Sequence, residues 1–318
     1  METPVLSANE SMKGKSRQRI LKDNIDGWLF VLPAFLFLFL FMIYPIIHTF
    51  LLCFFKYNFV FDPGPVFNGF GNFVKIFQTE AFIRAIFNTL YFALVYVVTI
   101  FIFGFLIGLI FSRSDLFASK LSKVVLFIPL VVPVSMSSFM FLFMLNPQHG
   151  LINSLLKDYL GMPSLAREWM NDPATALNVI LLVTVWQRIG FIGLLFFSGI
   201  TAIPDSVIEA SIIDGAGIGR RVLSIILPNL RETYLIVGIL AIITSIKLFA
   251  QVVAMTGASS IGAAGGPANS TLTMYVLTWR RAFIDFDLGI GSAMGYFMSL
   301  VIVVMFGINF IITRARKA

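Results

Sequence analysis

Charged residues are scarce in this chain: 12% of its 318 residues, beside 58% hydrophobic and a mean hydropathy of +0.91. Soluble domains carry about twice that share of charge, so the composition excludes a water-soluble globule and leaves an integral membrane protein. Cysteine occurs once, as Cys53 inside an apolar run, which rules out an intrachain disulfide and leaves a small hydrophobe. His48 and His149 are the only histidines; with a single cysteine they give no metal centre at recognisable ligand spacing, and no cofactor is expected. A G-x-x-x-x-G-K-[ST] phosphate loop is missing, so any nucleotide hydrolysis belongs elsewhere. Aspartate and glutamate are almost absent from the apolar stretches, and no inverted repeat is evident. Both absences count against a secondary carrier for a small polar solute, the alternative reading. An intramembrane enzyme would need a Ser/His/Asp, paired-Asp or His–metal constellation at membrane depth, and there is none. Basic residues form no dense patch interleaved with aromatics, so nucleic acid is not an expected partner.

What the chain has is length in its apolar runs. Six are long enough to cross a bilayer, about 28–55, 88–111, 121–145, 175–200, 233–256 and 288–312. Each is helical by necessity, because lipid offers no partner to an unpaired backbone group. Pro33, Pro45, Pro129 and Pro133 fall within spans, where a bundle tolerates kinks. The first run is far longer than a signal-peptide core and lacks a small-residue cleavage site, so it reads as a retained span. The expected fold is all-α and integral to the membrane. Its divisions are an N-terminal tail (1–26), a six-helix domain (27–313) and a C-terminal tail (314–318).

Lys and Arg set the orientation. The N-terminus, the 112–123 loop, the 202–232 segment and the C-terminus collect about 14 basic residues, and the opposite side about half as many. Both termini are therefore expected in the cytoplasm, facing the anionic inner leaflet. On the outer side, turn formers such as Asp62-Pro63-Gly64-Pro65 suit a short cap over 56–87, and Leu151 to Leu160 reads as an amphipathic stretch along the interface.

The cytoplasmic segment 203–230 carries more structure than a connection needs. Ser206-Val207-Ile208-Glu209 has a capping-box pattern behind Pro204. It predicts a short helix to about Asp214, stopped at Gly215-Ala216-Gly217. A second helix is expected from Ile218 to Leu227, ending before Pro228. The pair makes a knob with Val207, Ala210, Ile218, Val222 and Ile225 on its apolar side and Glu209, Asp214, Arg220 and Arg221 on its polar side. An amphipathic pair resting on lipid is the plain alternative, but its acidic residues would face anionic headgroups. A protein partner fits better.

The phrase Glu209-Ala210-Ser211, three residues, Gly215, nine residues, then Ile225-x-Leu227-Pro228 resembles the "EAA" loop of ABC-importer permeases. Asp214-Gly215-Ala216 and Ile203-Pro204 are similar to the carbohydrate-uptake branch typified by the maltose and glycerol-3-phosphate permeases. Ser211 stands where many members have Ala. The likeness spans most of the chain: Asn88-Thr89 opening the second span, Phe127-Ile128-Pro129 and Pro133, Gly150-Leu151-Ile152-Asn153, Trp186 and Gly190, and Gly265-Gly266-Pro267-Ala268-Asn269-Ser270-Thr271.

This resemblance implies a permease in the inner membrane of a bacterial or archaeal cell that pairs with a second permease subunit. It also implies a cytoplasmic ATP-binding subunit dimer docked on the loop and an extracytoplasmic solute-binding protein delivering a carbohydrate, an oligosaccharide or related polyol. For the solute path, charged groups within spans single out Arg188 and Lys247; bracing of neighbouring helices is the other role open to Arg188. The family pattern often has a basic residue at the Lys247 position followed by Phe and an acidic residue, whereas this chain has Phe249 and then Ala250. Ala241, Thr244, Ser245 and Leu248 match sugar-lining positions of the maltose-type permease. Hydroxyl-bonding groups beside an aromatic platform are what sugar recognition requires, which adds Gln251 and Phe249, with Trp186, Gln187 and Tyr296 from other spans. The stretch 257–264 reads as an external loop that meets the binding protein.

Overall fold

The computed structural model describes residues 27–112, 117–257 and 264–315. The chain divides into two units, Met1–Leu52 and Cys53–Ala318. The described part of the first unit is one helix, α1 (Gly27–Leu52), of 26 residues. At 1.5 Å per residue it is about 39 Å long, enough to cross the hydrocarbon core. A wider π turn at Phe39–Ile43 ends two residues before Pro45. Proline lacks an N–H and its ring crowds the carbonyl four residues back, so a wider turn at that place relieves the clash.

The second unit opens with a two-residue antiparallel ladder, β1 (Phe55–Lys56) and β2 (Val66–Phe67), followed by α2 (Gly71–Gln78). Asn72 of α2 is buried and donates to the carbonyls of Cys53 and Phe55, both at 2.8 Å. The spans follow as α3 (Glu80–Ser112), α4 (Phe117–Val131) with α5 (Val134–Met144), and α7 (Ala176–Thr201). A short helix α6 (Leu151–Ser154), continued by a π turn Leu155–Tyr159, lies where the amphipathic stretch was expected. After the 203–230 segment come α10 (Arg231–Ile246), α11 (Ala250–Thr256), α12 (Met274–Phe283) and α13 (Leu288–Ala315).

Glycine notches hold α3 on α7. A Cβ on Gly104 would lie 2.6 Å from Ile192 Cγ2, and one on Gly108 2.6 Å from Phe196 Cβ; Gly193 answers with a notch for Ile107. Without a hydrophobic force between helices in lipid, such close approach supplies the association. The spacing Gly104-x-x-x-Gly108 is a readable signal for this crossing. Around it Phe92, Tyr96, Ile100, Ile180, Val183 and Phe196 form a buried core, while Leu94, Phe103, Val303 and Ile311 remain exposed for lipid.

Three expectations are corrected. The 121–145 run is not one continuous helix: α4 and α5 meet at 102° across Val132-Pro133, so that the pair makes at most one sharply broken span. The span expected from 88 begins as α3 at Glu80, so Asn88-Thr89 lie inside it instead of opening it. The fifth span is interrupted at Lys247-Leu248-Phe249, where Phe249 (φ −135°, ψ −62°) leaves helical geometry.

Candidate functional site

The 203–230 segment forms two helices, α8 (Asp205–Ile213) and α9, which runs through Ile218–Arg221, a π turn Val222–Ile226, and Leu227–Asn229. The corner between them is a Schellman motif. Gly215 sits at φ +73°, its N–H donates to Ile212 O at 3.0 Å, and the Ala216 N–H donates to Ser211 O at 2.9 Å. Ser211 is buried at the inside of the bend and donates to Ile208 O at 2.6 Å.

Two details differ from expectation. The Ser206–Glu209 capping box is absent, because α8 starts two residues earlier with Pro204 as its N-cap, which places Ser206 inside the first turn. Pro228 does not end the second helix: the π turn before it opens the spiral, as before Pro45, and helix continues to Asn229, whose side chain donates to Ile225 O at 2.8 Å.

Ser211, Asp214, Ala216 and Arg220 come together around a cleft of about 170 Å³, closed by Ser224 and Ile225. Glu209 and Ala210 lie outside that cleft on the exposed side of α8, Arg221 is half-buried with its Nε lacking a partner, and Leu227 and Pro228 sit further along α9. Val207, Ala210 and Ile218 are exposed as a docking face requires, whereas Val222 and Ile225 turn partly inward. Their place outside is taken by Ile212, Leu223 and Ile213, the last 86% exposed. Among the described residues the one ion pair is Arg281–Asp285. The knob therefore offers both charge and apolar surface to a partner.

A second site forms where two spans break. Between α10 and α11 the freed Leu248 carbonyl accepts from Thr273 Oγ1 at 2.8 Å. This satisfies part of the interrupted backbone, as non-helical chain at membrane depth must. Next to it lies a cavity of about 360 Å³ lined by Thr244, Lys247, Phe249, Gln251 and Arg188, together with Val134, Ile243, Ala250 and Tyr275. The other candidates point elsewhere. Ser245 is buried with its hydroxyl on Ile242 O, and Leu248 and Ala241 pack in the core. Trp186 stands edge-on to Phe141 at 5.2 Å, Gln187 donates to Val132 O at 3.0 Å, and Tyr296 is off the cavity wall on α13.

Tyr275 was missed; the i, i+4 pair Tyr275–Trp279 after the Gly-Gly-Pro turn was the available signal. Both rings meet Phe249, at 5.4 and 5.3 Å. The turn is bolted to α3: the Asn88 amide donates to Asn269 O and Leu272 O, each at 2.9 Å, and Thr89 accepts from the Met274 N–H. Most of the 257–264 stretch lies outside the described residues.

A helical bundle with a cavity between broken spans and an exposed two-helix knob on one loop is the architecture of a membrane permease. Residues 100–318 match the model of the family described as "Binding-protein-dependent transport system inner membrane component", and the chain belongs to that family. It is 30% identical to the probable ABC transporter permease protein YurN of Bacillus subtilis (strain 168), over 86% of this chain and 90% of that one. The trehalose/maltose transport system permease protein MalF of Thermococcus litoralis is 30% identical, over 92% and 94%. A crystal structure of a bacterial ABC transporter that imports the acidic polysaccharide alginate shares the fold: TM-score 0.77, 21% identity, 93% and 99% covered. The chain is thus an inner-membrane permease of the ABC-importer type and not an enzyme, since in this family ATP hydrolysis resides in a separate subunit.

Proposed function

We propose that this chain is one of two permease subunits that together carry a carbohydrate, an oligosaccharide or related polyol, across the inner membrane. The 203–230 knob seats in a cytoplasmic ATP-binding subunit dimer, both termini lie in the cytoplasm, and an extracytoplasmic binding protein delivers the solute. The membrane domain is 27–313, with 1–26 and 314–318 as cytoplasmic tails. The observation that carries the coupling role is the Schellman corner joining α8 to α9, beside which Glu209, Ile212 and Ile213 stand exposed. Ile212, Ile213, Ile218 and Leu223 together put exposed apolar surface on a charged segment, the kind of surface that marks an interaction site. For the cargo, the support is the trehalose/maltose relative together with the cavity's hydroxyl, amide and aromatic lining.

The test is ATP-driven uptake by the assembled importer in proteoliposomes, with Glu209→Lys beside the wild type. The variant inserts normally but loses about 10-fold or more in ATPase association, as for an interface hot spot, and uptake falls with it. Full assembly and uptake in the variant would refute the docking role.

A further inference from the structure

Arg188 and Lys247 line the same cavity, and none of its walls is acidic. Arg188 lies midway along α7, about 18 Å from either end. Lys247 projects from the break between α10 and α11. The segments 177–204 and 233–284, which carry both cations, contain no Asp or Glu, and neither do 81–112, 117–157 or 288–315. Among the described residues the one ion pair joins Arg281 to Asp285 on another helix. Arg188 Nε is buried without a hydrogen-bond partner.

Two like charges around a single cavity repel each other: Arg188 is half-buried midway along its span, Lys247 stands exposed on the cavity wall, and charge at that depth calls for something of opposite sign. The walls that are not cationic are Thr244, Gln251, Phe249 and Tyr275, which suit a hydroxylated ring. We propose that the solute is anionic: a sugar bearing at least one oxyanion group (carboxylate, sulfate or phosphate), gripped by Arg188 and Lys247 while its ring lies against Phe249 and Tyr275. The planar guanidinium supplies a bidentate contact and the ammonium a point charge. This rests on the carbohydrate reading above and narrows it.

The experiment uses the complete importer in proteoliposomes with matched probes: neutral disaccharides and the same disaccharides carrying a uronate, a sulfate ester or a phosphate ester. At least one charged member is taken up in preference to its neutral partner. Arg188→Gln and Lys247→Met lower that uptake by roughly 10- to 100-fold, the range for losing a charge-assisted hydrogen bond. Arg188→Lys and Lys247→Arg retain most of it, and all four variants keep the ATPase and the second permease bound. Preferred uptake of a neutral sugar, unchanged by Lys247→Met, would overturn the inference and leave the carbohydrate reading standing. Loss of the second permease from the Lys247→Met complex would also overturn it, since the cations would then serve a carboxylate of that subunit. Uptake of a non-carbohydrate solute alone, with no sugar of either kind carried, would refute the carbohydrate reading itself.

Discussion

Gly190→Ala is expected to damage the bundle at the place where α4 leans on α7. A Cβ on Gly190 would fall against the Leu126 carbonyl, 2.5 Å from its carbon and 3.2 Å from Phe127 N. An ordinary contact needs about 3.5 Å, so the two helices must part by about 1 Å. The obstacle is main chain, which has no rotamer to yield. Overpacking against backbone belongs at the upper end of the usual range, about 3 kcal/mol, or roughly 100-fold in the folded-to-unfolded ratio. The same movement carries Val132 O away from Gln187 Nε2, now 3.0 Å apart, and disturbs Val134 and Arg188 at the cavity wall. Gly307→Ala is the control, because nothing lies within 4 Å of its Cβ position and helix propensity alone favours the change by up to about 1 kcal/mol. The assay is unfolding in mixed detergent–SDS micelles followed by tryptophan fluorescence, with uptake measured alongside. A Gly190→Ala protein within about 0.5 kcal/mol of wild type would refute the argument from close approach.

Three further outcomes follow from local geometry. Gly215→Ala meets no clash but must hold a left-handed residue at φ +73°. This weakens the corner by about 1 kcal/mol, read as faster amide exchange at Gly215 and Ala216 with the spans unaffected. Thr273→Val removes the donor to Leu248 O and the cap on Val276 N; a loss of about 1–3 kcal/mol in the same micellar titration is expected. Cys53, fully buried, resists a maleimide in the folded protein and reacts once SDS unfolds it; rapid labelling in the native state would contradict its placement.

The six runs, the knob and its glycine corner were legible because each depends on local chemistry: apolar length, a residue tolerant of positive φ, and a helix start behind Pro204. The failures were also local rules, overridden by neighbours. Pro228 should stop a helix, but a π turn gave its ring room. Ser206 and Glu209 fit a capping box, but α8 began two residues early and placed that serine inside the first turn. Of the eleven residues named for the solute path, five reach the cavity. Which ones do so depends on the 102° bend between α4 and α5, whose place Pro133 marks but whose angle it does not give, and on the break after Ile246, of which composition gives no sign.

The sequence by itself determined that the chain lives in lipid and that no carboxylate stands among the mid-span cations. Those are properties of residue types along a line. Only the tertiary structure decided that Arg188 from one helix and Lys247 from a break in another face a single space, with Tyr275 completing its wall. Residues so far apart in the chain meet only because the Gly190 contact and the Asn88–Asn269 hydrogen bond fix the helices around them.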